Sequence, residues 1–375
     1  MKINIVIFSN LSISGGGRET WLKNICEGGG KFTEINIYFF YDRKCKDSLS
    51  NNFSADNVRF HYFTPFKNSI LNLICFHIST YLKIRRNRNP TFFIGTLYDS
   101  LFVRFYKFLN VTTYIWIRSI LEKEIYHRTN FIKRKVFLFV ERFNLSSADY
   151  IIANGWDTKD FYKKFISDIT VIPNSVDLSR FEAKRLNPNS SSYKISYIGR
   201  LSKEKGIIDF INSVKIFLKS KSFNKGITFS FEIVGDGPLR EVVVDLIKDF
   251  DGIEYLGPLP NDCIPNYLHS VDASVCLTYA GDMGGGGVSN GLLELMASRT
   301  LIIAWDNYIF KQVLDDNMAL FVKEGEPVAL ADSYTLLESS DFNYKDKIDN
   351  AYSRVMDFTI SEHVDKIIEL INREN

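Results

Sequence analysis

Residues 193–219 read YKISYIGRLSKEKGIIDFINSVKIFLK. A β-branched and aromatic run, Lys194–Ile198, stops at Gly199, and a second pattern takes over from Gly206 to Lys219. There Ile207, Phe210, Ile211, Val214, Phe217 and Leu218 recur three and four residues apart, the spacing of one buried helix face. A strand that feeds through a short loop into such a helix is half of a βαβ unit. The loop carries Arg200 and Lys205, five positions apart and just ahead of the helix N-terminus. Both can reach one phosphate-rich ligand above the strand end, Arg through a bidentate fork and Lys as a mobile point charge. A solvated loop is the plainer reading of the same charges.

The pattern repeats in both directions. Upstream, strands are expected at Lys2–Ser9, Ile35–Phe40, Arg59–Phe63, Thr91–Gly95, Thr112–Ile117, Asp149–Ala153 and Ile169–Ile172. Downstream they are expected at Thr228–Val234, Ile253–Leu256, Asp272–Leu277, Thr300–Ala304 and Ala319–Val322. Strands alternating with helical patterns predict the α/β class, with parallel sheets covered by helices. A polar, turn-rich stretch after Pro173, including residues 187–192 (NPNSSS), separates two apolar regions. The expectation is two Rossmann-like domains facing across a cleft. The first spans 1–174, a linker 175–193, and the second 194–360. A last helix, 361–375, capped by Ser361 and with Val364, Ile367, Ile368 and Leu370 on one side, is expected to pack back on the first domain.

A chain of 375 residues with 45% hydrophobic and 24% charged residues has a globular composition and length for two ordinary domains. Five cysteines, an odd number with no CxxC pair, argue against a disulfide framework or a zinc site and for reduced thiols in a cytoplasmic protein. The opening MKINIVIFSN runs straight into a strand pattern and lacks the layout of a signal peptide. The apolar stretches near 70–82 and 109–117 are too short or interrupted to span a bilayer. Net charge is +2, yet residues 1–170 hold 25 basic against 14 acidic residues, and the remainder 21 against 30. A basic first half suits anionic headgroups or a phosphate-bearing acceptor, or is a solvated surface of skewed composition. The acidic second half and the lack of a recognisable module argue against nucleic-acid binding.

Ligands of open α/β sheets bind at the carboxyl ends of strands, so the loops there carry the remaining candidates. Ser14-Gly15-Gly16-Gly17 follows the first strand and lets a ligand approach the backbone, without the GxGxxG spacing of a dinucleotide site. Val234-Gly235-Asp236-Gly237-Pro238 and Tyr255-Leu256-Gly257 are strand-to-loop turns. The run Gly284-Gly285-Gly286-Gly287 enters a helix through Val288, Ser289 and Asn290, leaving amides exposed as around a pyrophosphate. Glu294 sits one turn further, placed to accept hydrogen bonds from a ribose diol, or to be an ordinary helix-surface glutamate.

Taken in order, IPNSVD, GRLSKEKG, VGDGP, YLG and SNGLLELMAS resemble family 4 retaining glycosyltransferases of the GT-B fold, the glycosyl transferases group 1. The resemblance is specific from about Asp149 to Val322 and limited upstream to the first strand and its glycine turn. It implies that Arg200 and Lys205 bind the donor diphosphate and Glu294 the nucleotide ribose. It further implies that Gly287, Val288, Ser289 and Asn290 contact sugar and phosphates through their amides, with Gly16 and Gly17 closing over the phosphates. Gly235, Tyr255 and Leu256 join the donor-binding set. The implied substrate is a nucleoside diphosphate sugar, UDP- or GDP-linked, with no metal or other cofactor. The implied acceptor is a glycan or lipid-linked glycan, in cell-surface polysaccharide or lipopolysaccharide synthesis, with possible peripheral association at the inner membrane. The sequence departs from the family twice. Its first motif glutamate falls on Gly286, and Asp282 is the candidate stand-in. Its catalytic-site histidine has no counterpart, Arg118 standing near that place and His127 reading as a surface residue. Two rivals stay open: a GT-B sugar-nucleotide epimerase and a non-catalytic nucleotide-sugar-binding partner protein.

Overall fold

The computed structural model describes residues 1–10, 17–40, 56–63, 69–126, 129–181, 192–220, 226–281, 286–339 and 344–373. They form two compact units. One holds Met1–Ser175, Gly285–Gly287 and Ile360–Asn375; the other holds Val176–Gly284 and Val288–Thr359.

The first unit is built on strands β1 (Lys2–Asn10), β2 (Glu34–Phe40), β3 (Val58–Phe63), β4 (Thr91–Phe93), β5 (Thr113–Ile117), β6 (Tyr150–Ala153) and β7 (Thr170–Val171). They pair in the order β3-β2-β1-β4-β5-β6-β7, every pair parallel. Successive side chains point to opposite faces. Ile5, Ile7, Phe92, Tyr114 and Trp116 therefore enter one core, while Val6, Phe93, Ile115 and Ile117 enter the other. Burial on both faces explains why these strands read as unbroken apolar runs rather than alternating ones.

The C-terminal helix belongs to this unit and runs Ile360–Asn372. Val364, Ile367, Leu370 and Ile371 are buried with Trp21 and Leu22 of the helix Gly17–Glu27. His363 locks the contact: Trp21 Nε1 donates to its Nε2 at 2.9 Å, so Nδ1 carries the proton and donates to the Pro173 carbonyl at 2.6 Å. Burial, aided by Arg118, holds the imidazole down at about 3, hence neutral. Ser361 is not the cap expected from sequence. The helix already starts at Ile360, and the Ser361 hydroxyl accepts from Lys31 Nζ instead.

The second unit is built on β8 (Ser192–Ile198), β9 (Thr228–Val234), β10 (Ile253–Gly257), β11 (Ala273–Cys276), β12 (Leu301–Trp305) and β13 (Leu320–Val322). Their order is β10-β9-β8-β11-β12-β13, again all parallel. The helix Ile207–Lys219 buries Ile207, Phe210, Ile211, Val214 and Phe217, the stripe read from sequence. Two residues expected in the linker belong to β8. Ser192 and Tyr193 pair with Thr228 and Phe229, and the Tyr193 ring lies 5.6 Å from that of Phe229. Packing of the buried Tyr193 ring on partly buried Phe229 outweighs the turn character of the serines before it.

Candidate functional site

The second sheet changes direction between β8 and β11, the two strands that leave their loops on opposite sides. Such a switch point opens a crevice at the carboxyl ends, and the charged residues of the unit gather around it.

The loop after β8 is held open by backbone contacts. Leu201 N donates to the Asp236 carbonyl at 3.0 Å, and Tyr197 Oη donates to the Arg200 carbonyl at 2.9 Å. A Cβ on Gly235 would lie 1.9 Å from the Gly199 carbonyl oxygen, so only glycine lets the β9 loop close this tightly. Tyr255 Oη donates to the Gly235 carbonyl at 3.0 Å, while Leu256 is partly exposed on the edge strand β10. The Arg200 backbone is thereby pinned and its side chain exposed.

Lys205 ends a short 3-10 turn, Lys203–Lys205, that closes on Gly206 at φ +67°. A Cβ at Gly206 would meet Leu277 Cβ at 2.5 Å and its carbonyl oxygen at 2.7 Å. This contact carries Lys205 to the β11 loop, where its Nζ donates to Thr278 Oγ1 at 3.0 Å. Burial holds the ammonium below the usual lysine range; Cys276 and Glu204 oppose the shift and Arg200 reinforces it. Thr278 is itself set by a bracket of polar groups. Asn307 Nδ2 donates to its carbonyl at 3.0 Å, and Glu324 accepts from Asn307 Nδ2 and from the Ala280 amide.

The β11 loop leads into the helix Asn290–Ala297. Ser289 caps it, its hydroxyl accepting from Leu292 N at 3.2 Å, and Asn290 and Gly291 present first-turn amides with no intrahelical acceptor. Leu292, Leu293, Leu295 and Met296 are buried around the half-buried Glu294. Desolvation pushes the Glu294 carboxyl up to about 7, opposed by Arg180. Arg180 is tied at 2.6 Å to the Asn261 carbonyl. Among the described residues none hydrogen-bonds or ion-pairs with the Glu294 carboxylate, and none ion-pairs with Arg200 or Lys205. A desolvated acid, a desolvated ammonium and free helix amides around one crevice suit a ligand with phosphates at one end and hydroxyls at the other.

The remaining candidates are distributed unevenly. Gly286 and Gly287 take φ +78° and +83°, and the Gly287 N–H donates to the Asp157 carboxylate at 2.9 Å. A Cβ on Gly286 would lie 2.7 Å from Asp157 Oδ2. The Gly287 amide, expected to face phosphate or sugar, is thus already engaged, and the Val288 side chain is buried in the second core. Arg118 directly follows β5, its guanidinium 5.6 Å from the Trp21 ring, and Gly17 opens the helix Gly17–Glu27; both belong to the first unit. Gly16, His127 and Asp282 lie outside the described residues. Sequence reading missed Thr278, Glu324 and Arg180. Thr278 was open to detection, because it is the second residue past a strand that borders the switch point.

Two parallel sheets of this topology, the second with a phosphate-type crevice, define a two-Rossmann-domain protein of the GT-B fold. Residues 192–339 match the model of the family Glycosyl transferases group 1. Along its whole length the chain is similar to an enzyme of Campylobacter jejuni, GalNAc-alpha-(1->4)-GalNAc-alpha-(1->3)-diNAcBac-PP-undecaprenol alpha-1,4-N-acetyl-D-galactosaminyltransferase, with 22% identity covering 99% of this chain and 98% of that one. A 2-deoxystreptamine glucosyltransferase of Streptomyces kanamyceticus is 30% identical over 36% of each chain. Among solved structures, Anabaena Alr3699/HepE in complex with UDP superposes with a TM-score of 0.77 over 100% of both chains at 15% identity, a likeness of fold.

Proposed function

We propose that the protein transfers a hexose-type sugar from a UDP- or GDP-linked donor, with retention, to a glycan or lipid-linked acceptor in cell-surface polysaccharide synthesis. The observation that carries this reading is the crevice of the second unit. Lys205 and Glu294 are desolvated there without an ionic partner among the described residues, and a diphosphate and a ribose diol supply the partners each needs. The Campylobacter relative, which forms an α-1,4 linkage on a diphosphoundecaprenol-linked glycan by its name, supports the choice of acceptor class. The UDP-bound Anabaena structure supports the donor class.

In this mechanism the acceptor hydroxyl attacks the anomeric carbon on the face from which the diphosphate leaves. The C–O bond to the leaving phosphate breaks as the new glycosidic bond forms, and the leaving phosphate oxygen takes the hydroxyl proton. Arg200, Lys205 and the amides of Asn290 and Gly291 offset the charge that grows on the diphosphate, so no metal is required. Asp282 is the residue proposed to orient the sugar. The mixed basic and apolar first half holds the chain on the cytoplasmic face of the membrane where a lipid-linked acceptor resides. Incubation with a panel of UDP- and GDP-sugars, reading free nucleoside diphosphate with and without a polyprenyl diphosphate-linked glycan, tests the proposal. Release from no donor under either condition overturns it in favour of a non-catalytic nucleotide-sugar-binding protein.

A further inference from the structure

The first sheet also changes direction, between β1 and β4: β2 and β3 lie beyond β1, and β5, β6 and β7 beyond β4. Its own crevice therefore opens at the carboxyl ends of β1 and β4. In the loop after β4, consecutive residues Thr96, Leu97, Tyr98 and Asp99 are each fixed through a buried polar side chain. Two come from the helix Phe131–Ser147: Thr96 Oγ1 donates to Glu141 at 2.7 Å, and Asn144 Nδ2 donates to the carbonyls of Thr96 and Leu97 at 3.0 and 3.1 Å. From the helix Ser69–Asn87, His77 Nε2 donates to the Tyr98 carbonyl at 2.8 Å. Asp99 turns back to β1, where its carboxylate accepts from the Phe8 amide at 2.7 Å.

Burying polar and ionisable side chains is costly, and here His77, Asp99, Glu141 and Asn144 are all buried to hold one loop in place. A single side chain of that loop is turned outward. Thr96, Asp99 and Ser100 are buried and Leu97 half-buried, whereas Tyr98 is 46% exposed. Its ring is braced from beneath by Phe8 and Phe137, each at 6.2 Å. A tyrosine exposed on a loose turn needs no explanation; one presented on a backbone fixed at every residue is preorganised. Beside it, from the first turn of the helix Gly17–Glu27, the exposed Arg18 guanidinium lies 3.8 Å from Asp99. That is ion-pair reach but too long for a hydrogen bond, so the N–H groups of Arg18 stay available to a ligand.

We infer that Tyr98 is a stacking platform for one sugar ring of the acceptor glycan, and that Arg18 donates to the hydroxyls at the edge of that ring. A pyranose has a face of C–H groups, apolar and slightly positive, and a rim of hydroxyls. The negative face of an aromatic ring matches the first, and the guanidinium fork matches the second. Tyrosine offers this area at little entropic cost, because only two side-chain torsions must be fixed and the backbone beneath is already held. The inference rests on the proposed transfer to a glycan. It adds that acceptor choice is made by the shape and hydroxyl pattern of a sugar in the first unit, at Tyr98 and Arg18.

Binding of the full chain to an array of immobilised di- and trisaccharides built from hexoses and N-acetylhexosamines tests it. The parent is expected to be retained on a subset of them. Tyr98→Leu keeps an apolar side chain against Phe8 and Phe137 but has no ring face, and is expected to cut retention about tenfold or more. Tyr98→Trp should restore it, which a role in packing alone would not predict, and Arg18→Gln should weaken it about tenfold. With a retained glycan as acceptor, Tyr98→Leu should raise the KM for that glycan and not the KM for the sugar nucleotide. Retention of no saccharide, parental retention by Tyr98→Leu, or a loss of affinity for bare UDP or GDP in that variant, which would assign the ring to a nucleobase, would each overturn the inference. Glycan retention by a chain that releases diphosphate from no sugar nucleotide would leave the platform intact and remove the transferase reading. Transfer with a parental glycan KM in Tyr98→Leu would do the reverse.

Discussion

Glu294→Gln is the substitution that tests the donor site most sharply, because burial of the carboxyl sets the direction of its pH dependence. The free carboxyl titrates at about 7, raised by desolvation and drawn back by Arg180. A ribose diol donates two hydrogen bonds, and only the ionised carboxylate accepts both. The ligand thus binds the deprotonated form, and affinity is full well above 7 and lost as pH falls through it. With a titration point near 7, the ionised fraction drops from about nine-tenths at pH 8 to about one-tenth at pH 6, so the apparent Kd rises about tenfold. Binding at pH 7 should release about half a proton. The glutamine variant keeps the shape and one acceptor but loses the charge, a cost of about 1.5–3 kcal/mol, or roughly 10- to 100-fold in Kd, with the pH dependence abolished. Calorimetry with a sugar nucleotide in two buffers of different ionisation enthalpy reads affinity and proton release together. A sugar nucleotide is preferable to the bare diphosphate, whose terminal phosphate titrates in the same range. Equal affinity at pH 6 and pH 8 in the parent, or an unchanged affinity in the variant, would take Glu294 out of the site.

Arg200→Ala and Lys205→Ala are each expected to lower transfer by about 10²-fold or more without loss of folded protein, and steady-state rates beside circular dichroism check both halves of that statement. Gly206→Val should destabilise the second unit by more than ~1 kcal/mol, since it places a β-branched residue at φ +67° and a Cβ 2.5 Å from Leu277 Cβ; a parental melting temperature would refute the contact. His363 gives a pH signature. Its folded value near 3 lies below the ordinary imidazole range, so its contribution is present above about pH 6.5 and lost as pH falls toward 3. The stability gap between the parent and His363→Gln should therefore narrow by up to about 1.4 kcal/mol per pH unit below 6.5, and a constant gap in urea titrations would refute it.

The central strands were the most legible because they are buried on both faces. Runs such as TYIWI at Thr113–Ile117 and LIIAW at Leu301–Trp305 need no partner to be recognised. The loop GRLSKEKG was legible as a connection, because its polar residues and glycines separate the apolar run of β8 from the helical stripe of Ile207–Lys219. Helix ends were less visible, as the start at Ile360 instead of after Ser361 shows, since frayed ends depend on packing as much as on local side chains.

What the sequence alone determined, then, is the alternation of strands and helices, the division near Asn174, and the chemical identity of Arg200, Lys205 and Glu294, all local properties of side-chain type and spacing. Only the tertiary structure decided the strand order that puts β8 beside β11, and with it the approach of Lys205 to Thr278 across 73 residues of chain. It also decided that Glu294, read from spacing as a possible surface glutamate, sits desolvated near neutrality, and that the Gly287 amide is taken by Asp157. Desolvation and long-range hydrogen bonds depend on what the fold brings near a group, and spacing along the chain does not record it.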